Sequence, residues 1–300
     1  MNRVRLTTLL IADKGRKAGQ FAVPPVQDDG AGYPFAVAPN GRIALCNDSN
    51  LILMDPNRRK TRLLKAPLGE QTEFWGIACS NDLLVALLSD YTIALMDWEG
   101  RVRQRFGNGF GKGENQISDA PPVRMAIAPL ATPLWMQADS LYRISVSDGR
   151  IERVITAERG KRLTGLAVDA SGRVYLSSEE PIASTEPLQW QKTPERLKPL
   201  SPEVAQWHLF GIDQAGNFYW HGERLEKRQK YLITEVACVA PEGSVRWHLA
   251  LNGALGVLQP LRSASQIQWL EVDRQGRLYA LGWVYAGLRQ SVRLFRVEIR

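Results

Sequence analysis

The amino-acid sequence predicts an all-β fold, a six-bladed β-propeller, and three observations carry that prediction. A short apolar run, a Gly-centred turn and a second apolar run recur six times along the 300 residues. Consecutive copies begin roughly 40–60 residues apart, close to the length of a propeller blade. No stretch has the i, i+3, i+4 apolar spacing of a long amphipathic helix. The copies begin at Phe35, Ile77, Met125, Leu166, Phe210 and Leu270.

The second copy shows the expected four-stranded unit most clearly. Its β-rich runs span 75–79, 83–88, 92–96 and 101–106, with Gly, Asn or Asp between them. The first copy repeats this order at 35–38, 43–46, 51–54 and 62–65, and the third ends with runs at 141–146 and 150–156. Short strands separated by turn residues are typical of antiparallel hairpins. Each copy therefore predicts one four-stranded antiparallel blade.

The fourth copy loses this regularity between residues 179 and 202, where five prolines fall. Proline removes donors from a β-ladder, which predicts loops or edge strands in this segment. We expect short outer strands near 188–191 and 196–200. The irregular segment, together with the loops around the channel mouth, is the predicted partner-binding surface.

The two ends of the chain are predicted to complete one blade. The sixth copy offers three strands and then the sequence stops, whereas residues 4–11 form a strand pattern without a blade. Pairing the two closes the propeller and hides two sheet edges that would otherwise favour aggregation. Residues 1–300 are thus predicted to form a single propeller domain.

Composition sets limits on partners and location. The net charge of +7 and the pI of about 9.4 are modest for 300 residues and fit a propeller with many Gly–Arg turns. Three scattered cysteines, Cys46, Cys79 and Cys238, indicate a reducing compartment rather than a disulfide framework. The sequence shows neither a signal peptide nor the roughly 18-residue apolar stretch of a membrane helix. We expect a monomeric cytoplasmic domain that does not enter a membrane.

Two motifs resemble the NHL repeat. A glycine-rich connection runs from Phe106 to Gln116 and leads through Pro121 or Pro122 to the next inner strand at 125–128. An Asp is followed three residues later by Gly and three further on by Tyr, at Asp169, Asp213 and Asp273. The resemblance implies a six-bladed propeller that binds a partner more often than it catalyses. Copies one to three depart from the pattern, with Ala38, Ser80 and Ala128 in place of Asp.

Four carboxylates are candidate metal ligands because each follows the second strand of its copy: Asp48, Asp90, Asp139 and Glu179. Carboxylates that converge at a channel mouth could hold Ca²⁺, which takes 6–8 oxygen ligands. Lactonase-type six-bladed propellers hold a divalent metal at this place with Glu, Asn and Asp from different blades; here Asn47 is adjacent, but the sequence shows no convincing set around the ring. A metal-dependent hydrolase is the alternative function. The other interpretation is that these side chains cap turns, with no cofactor bound.

Further acidic residues and the histidines complete the candidates for chemistry. Glu271 stands on an innermost strand where the other copies have Ala or Gly, which predicts a channel-lining carboxylate, and Arg124 is a suitable partner type. The repeated Asp residues of the NHL-like motif are predicted to accept backbone N–H bonds within their turns. All three histidines fall in the fifth copy, so a zinc site built from separate blades is excluded.

Seven arginines are predicted on one face of the propeller, in hairpin turns: Arg42, Arg58, Arg59, Arg101, Arg150, Arg173 and Arg277. Such a face could bind the phosphate backbone of RNA, but aromatic side chains that could stack on bases are scarce there apart from Trp98. No common catalytic motif is present. The sequence therefore predicts a non-catalytic scaffold that binds a protein. A metal-dependent hydrolase and an RNA-binding module are the alternatives.

Overall fold

A computed structural model describes residues 4–13, 20, 35–47, 49–58, 60–65, 72–107, 109, 124–128, 132–137, 140–145, 147–157, 163–178, 188–226, 231–251, 265–286 and 289–299. The fold is a six-bladed β-propeller made of six antiparallel sheets. Within these ranges five sheets have four strands and the fourth has three. The predicted fold class is confirmed.

Strand β1 (Val4–Asp13) precedes the blades. Blades one and two contain β2 (Phe35–Val37), β3 (Ile43–Asn47), β4 (Asn50–Asp55), β5 (Lys60–Lys65), β6 (Phe74–Cys79), β7 (Leu83–Leu88), β8 (Ile93–Asp97) and β9 (Val102–Phe106). Blades three and four contain β10 (Arg124–Ala128), β11 (Thr132–Gln137), β12 (Ser140–Ile144), β13 (Ile151–Thr156), β14 (Leu163–Val168), β15 (Val174–Ser178) and β16 (Gln189–Gln191).

A short helix, α1 (Leu197–Leu200), precedes blade five. Blade five contains β17 (Trp207–Ile212), β18 (Phe218–Glu226), β19 (Tyr231–Val239) and β20 (Val245–Ala250). Blade six contains β21 (Ser265–Val272), β22 (Leu278–Ala286) and β23 (Arg289–Ile299), with β1 as its fourth strand. The chain divides into two compact units, residues 22–189 and residues 1–21 with 190–300. The single domain over 1–300 stays a prediction.

In the unit 22–189, inner strands such as β7 and β8 bury both faces, which explains their nearly continuous apolar sequence. Along β7, Leu84 and Leu88 belong to one apolar cluster with residues of blade one. The alternate residues Val85 and Leu87 belong to a second cluster with residues of blade three. A blade of this kind is stable only between neighbours, because each face needs a packed partner.

The N-terminal strand completes blade six, as predicted. β1 pairs antiparallel with β23, from Val4 opposite Ile299 to Asp13 opposite Ser291. The register shifts between Thr8 and Leu10, which marks a β-bulge. The sheet order β1-β23-β22-β21 places the first strand of the chain at the outer edge beside the last.

The structure corrects one element of the Pro-rich segment. The strand predicted near 188–191 is confirmed as β16, but 196–200 forms α1 instead of a strand. The amide of Leu197 donates to the carbonyl of Pro194 at 2.9 Å and starts the helical turn. Pro199 lies within that first turn, where its missing N–H leaves no helical bond unmade.

The repeated Asp residues cap their turns, as predicted. Asp213 Oδ1 accepts from the amides of Ala215 and Asn217, each at 2.9 Å, and its Oδ2 accepts from the hydroxyl of Tyr219 at 2.9 Å. Asp273 and Asp169 are bonded in the same way within their own turns. The tyrosine of the motif completes each arrangement, at 2.9 Å for Tyr279 and 3.1 Å for Tyr175.

Candidate functional site

A cleft of about 510 Å3 lies on blade five, between its strands and the segment that follows α1. We call it the blade-five cleft. Its lining includes three strand residues and part of the Pro-rich segment: Arg224, Glu235, His248, Leu200, Ser201, Pro202 and Glu203. The end of the segment predicted to bind a partner therefore forms one wall of this cleft.

Strand register brings the charged side chains to one face of the blade. Glu235 on β19 lies opposite Gly222 on β18, and Arg224 follows two residues later. Residues two apart on a strand share a face. His248 on β20 lies opposite Ala237, two residues from Glu235, so it joins the same face. Neighbouring strands thus supply an arginine, a glutamate and a histidine to one patch.

Glycine at position 222 lets the segment after α1 approach this face closely. A Cβ at Gly222 would lie 2.3 Å from Val204 Cγ1 and 2.9 Å from the carbonyl oxygen of Gln206. Leu197, Ser201 and Val204 are buried, whereas Pro202 and Glu203 are exposed. The segment therefore presses one side onto the blade and presents the other to solvent.

Glu235 is the centre of the polar network in the cleft. Its Oε1 accepts from Arg224 Nε at 2.6 Å, and its Oε2 lies 3.0 Å from His248 Nε2. Ser201 Oγ is 3.2 Å from the same His248 nitrogen, and Arg224 Nη1 is 3.4 Å from Glu203 Oε2. The network joins three strands of the blade to the segment after α1.

The lowered pKa of Glu235 favours a structural role for this carboxylate over a catalytic one. Burial would raise the pKa of Glu235, but the bonds from His248 and Arg224 outweigh it and hold that pKa below its ordinary value. A carboxylate that stays ionised is a poor general base near neutral pH. The arrangement fixes the Pro-rich segment on the blade and leaves Glu203 half-exposed at the rim.

Three leucines of α1 and blade five are exposed, and the two on the strands lie on the opposite face from Arg224 and Glu235. Leu200 lines the cleft and is 47% exposed. Leu225 on β18 pairs across the hairpin with Leu232 on β19, and they are 53% and 39% exposed. In the described residues, β17 pairs with β18 only as far as Gly222, and β20 pairs with β19 from Glu235 onward. The ends of β18 and β19 therefore continue past the blade as a two-stranded ribbon that carries the leucine pair.

Of the four predicted metal ligands, only Asp90 falls within the described residues. Its Oδ1 accepts from the amide and the hydroxyl of Thr92 at 3.1 and 2.7 Å, and its Oδ2 pairs with Arg105. Asp48, Asp139 and Glu179 lie outside the described residues. Within the described ranges no three His, Cys, Asp or Glu side chains are placed to hold a metal ion. The Ca²⁺ site stays a prediction.

Glu271 is buried on β21, opposite Tyr279 of β22. The side chain of Arg124, its predicted type of partner, is also buried, and its Nε donates to the carbonyl of Leu166 at 2.8 Å. The channel-lining role of Glu271 stays a prediction. Burial among apolar neighbours requires Glu271 to have polar partners, because an uncompensated carboxylate is costly.

The predicted basic residues mostly stand beside carboxylates in their own turns. Arg58 lies 3.6 Å from Asp55, Arg173 lies 3.7 Å from Asp169, and Arg277 lies 2.6 Å from Asp273. The turns before Arg101 and Arg150 are capped by Asp97 and Asp148, and Arg59 lies outside the described residues. These carboxylates reduce the positive potential that a phosphate backbone would meet.

Arg42 is instead engaged by an aromatic ring. Its guanidinium carbon lies 4.1 Å from the centre of the Trp98 ring, and its Nη2 donates to the Asn81 carbonyl. Part of the positive charge lies on the edge strands β5 and β9, where Arg62, Arg103 and Arg105 are exposed. Charged edges prevent sheets from pairing edge to edge, so this charge has a structural reason.

Sequence reasoning missed Arg224, Glu235 and Ser201 as a group. The grouping depends on the register of β18, β19 and β20 and on the path of the segment after α1, neither of which a local pattern gives. One signal was present: Glu235 is a lone carboxylate inside an apolar strand. A charge at such a position requires a partner, and His248 in the same copy was a candidate.

Comparison of this chain with known proteins finds solved structures of similar fold but assigns the chain to no family. No protein-family model matches the chain, and no curated protein sequence matches it. A chain from a structure titled "Crystal Structure of Mitotic Checkpoint Complex" superposes with a TM-score of 0.51 at 11% identity, covering 96% of this chain and 84% of that one. Matching chains number 388, and so widely shared a fold does not specify a function. No described helix has the length and hydropathy to cross a membrane.

Proposed function

We propose that this protein is a non-catalytic propeller scaffold that binds a protein partner through blade five. The surface consists of the exposed side of the segment 197–206 and the ribbon at the ends of β18 and β19. The observation that carries the proposal is the exposure of three leucines, Leu200 at the end of α1 and Leu225 and Leu232 on the ribbon. Exposed apolar side chains grouped on a rigid support are typical of interaction sites.

The support under these leucines favours binding over chemistry. The segment 197–206 is fixed by Ser201, Leu197 and Val204, so little conformational entropy is lost when a partner docks on it. The ribbon presents Leu225 and Leu232 as a cross-strand pair in which both side chains are exposed. A propeller chain also occurs in the multiprotein structure described above, which agrees with a scaffold role.

An affinity-capture experiment with matched variants tests the proposal. Immobilised wild type, the double variant Leu200→Ser/Leu225→Ser and the control Leu63→Ser are incubated with lysate from cells that express the protein. Leu63 is 61% exposed on β5, in the other compact unit, so it matches the chemistry of the change at a different place. We expect at least one protein that wild type and control retain and the double variant loses. Retention of every captured protein by the double variant would remove the proposal.

We also propose that the propeller is of the NHL-like type and works in a reducing, cytoplasmic compartment. The three bonded Asp–Tyr pairs support the first point, since they occur at the positions of the NHL-like motif. The buried free thiols of Cys46 and Cys238 support the second. Secretion of the native protein with a disulfide would contradict it.

A further inference from the structure

One histidine nitrogen joins blade five to the segment that follows α1. Nε2 of His248 on β20 lies 3.0 Å from Glu235 Oε2 on β19 and 3.2 Å from Ser201 Oγ in that segment. The side chain of His248 is 19% exposed, whereas Glu235 and Ser201 are buried. Solvent protons therefore have access to the ring, while the atoms that it contacts are shielded from water.

The carboxylate oxygen that faces His248 has no other compensation nearby. Within the described residues, Oε2 of Glu235 is buried and has no hydrogen bond of ordinary geometry, whereas Oε1 accepts from Arg224 Nε at 2.6 Å. The pKa of Glu235 lies below its ordinary value, so this carboxylate is ionised near neutral pH. A buried negative charge without a partner is costly. A positive charge on His248 compensates Oε2 in a way that a neutral ring does not.

Each element packed around His248 contributes a charged, polar or aromatic group. The groups are Glu235 on β19, Arg224 on β18, Ser201 and Glu203 in the segment, Trp207 on β17 and the exposed Arg246 on β20 itself. The centres of the Trp207 and His248 rings are 6.1 Å apart at 66°. Histidine is the side chain whose ordinary change of charge falls between about pH 5 and 8. In this set, His248 is therefore the group that can respond to pH in that range.

We propose that His248 is a proton-dependent latch, which holds the segment 197–206 tightly on blade five when the ring is protonated and loosens it when the ring is neutral. A protonated imidazole carries hydrogen on both nitrogens. Nε2 then donates a charge-assisted bond to Ser201 Oγ, and such bonds are roughly twice as strong as neutral ones. Arg224 bridges Glu235 and Glu203 without titrating, so the neutral ring loosens the segment but does not release it.

The latch has a consequence for partner binding that rests on the proposed function. The segment 197–206 is part of the proposed docking surface, and a segment held in one position loses less conformational entropy when a partner docks on it. Acidification from about pH 8 to about pH 5.5 should therefore strengthen partner binding. The latch itself needs no partner and is tested without one.

Hydrogen exchange of the isolated chain tests the latch. The amides of Ser201 and Val204 report on the segment, since they donate to the carbonyls of Leu197 and Ser201, each at 3.1 Å. We expect their protection factors, corrected for the intrinsic pH dependence of exchange, to be at least about fivefold higher at pH 5.5 than at pH 8. The change should follow the titration of the His248 ring resonances. Amides of β7, in the other compact unit, are the reference, and equal protection at both pH values relative to them would overturn the proposal.

Two variants separate the latch from a general effect of pH. His248→Gln has no titrating ring, so its segment should keep the weaker protection at both pH values. His208 pairs with His221 on the opposite face of the same blade from Glu235, so folded His208→Gln should keep the pH dependence of wild type. A pH dependence that persists in His248→Gln would contradict the latch. Exchange is measured without a partner, so failure of the latch is separate from failure of blade-five binding in the capture experiment.

Discussion

Replacement of Glu235 by glutamine removes the charge at the centre of the blade-five cleft and keeps the side-chain shape. Hydrogen bonds to a charged group contribute roughly 1.5–3 kcal/mol each when buried. Glu235 accepts one such bond, from Arg224, and its buried Oε2 has a 3.0 Å contact with His248; these two partners are 22% and 19% exposed, and solvent screening lowers the value of both contacts. We expect Glu235→Gln to lower the free energy of unfolding by about 2–3 kcal/mol at pH 7.

This loss of stability depends on pH in a defined direction. The folded-state pKa of Glu235 lies below its ordinary value of 4.5, so the ionised carboxylate stabilises the fold wherever it is charged in both states. The contribution is complete above about pH 5.5 and is lost as the pH falls through the folded-state pKa. The difference between wild type and Glu235→Gln should therefore shrink steadily below pH 4.5.

Urea unfolding at a series of pH values from 7 to 3.5 measures both effects. Glu203→Gln is the matched control, because Glu203 is 53% exposed and lies 3.4 Å from the same arginine. Its expected effect is below about 0.5 kcal/mol at every pH. A difference for Glu235→Gln that is under about 0.5 kcal/mol, or that does not change with pH, would refute the reasoning.

Three further outcomes follow from the geometry. Tyr219→Phe should lower the free energy of unfolding by about 1.5–2.5 kcal/mol, and Tyr175→Phe by about half as much, because the carboxylate that accepts from Tyr175 is more exposed. Urea unfolding of the two variants measures these losses, and equal losses would contradict this expectation. Gly222→Ala should lower the free energy of unfolding by about 1–3 kcal/mol, since the added methyl group would overlap the side chain of Val204. The amide of Val204 should then exchange its hydrogen faster than in wild type. Burial raises the pKa of the Cys46 thiol, so it should resist alkylation at pH 8 until urea unfolds the chain, and rapid labelling would count against that burial.

Local patterns were enough to predict most of the fold. The alternation of apolar and turn residues located the inner strands, and the Asp of each NHL-like turn could be assigned to capping because the amides that donate to it lie within four residues. The strand at 4–11 was placed beside the last blade because both had an unsatisfied edge. The error at 196–200 arose from reading Pro199 as a strand residue when it fits the first turn of a helix.

The site depended on information that sequence patterns do not contain. Arg224 and Glu235 are 11 residues apart, and they meet because β18 and β19 are long and in a particular register. The predicted basic face assumed that arginines in turns act alone, whereas Arg173 and Arg277 lie beside the Asp of the same turn.

Hydrogen exchange of the chain with and without the partner identified by capture tests whether that partner binds blade five. Amides in 197–206 and in the ribbon ends at 223–226 and 231–234 should gain protection when the partner binds, because a docked surface excludes water from those groups. We expect this protection to be absent with Leu200→Ser/Leu225→Ser and present with Leu63→Ser. Protection confined to other blades, with none in these ranges, would show that the partner does not bind blade five.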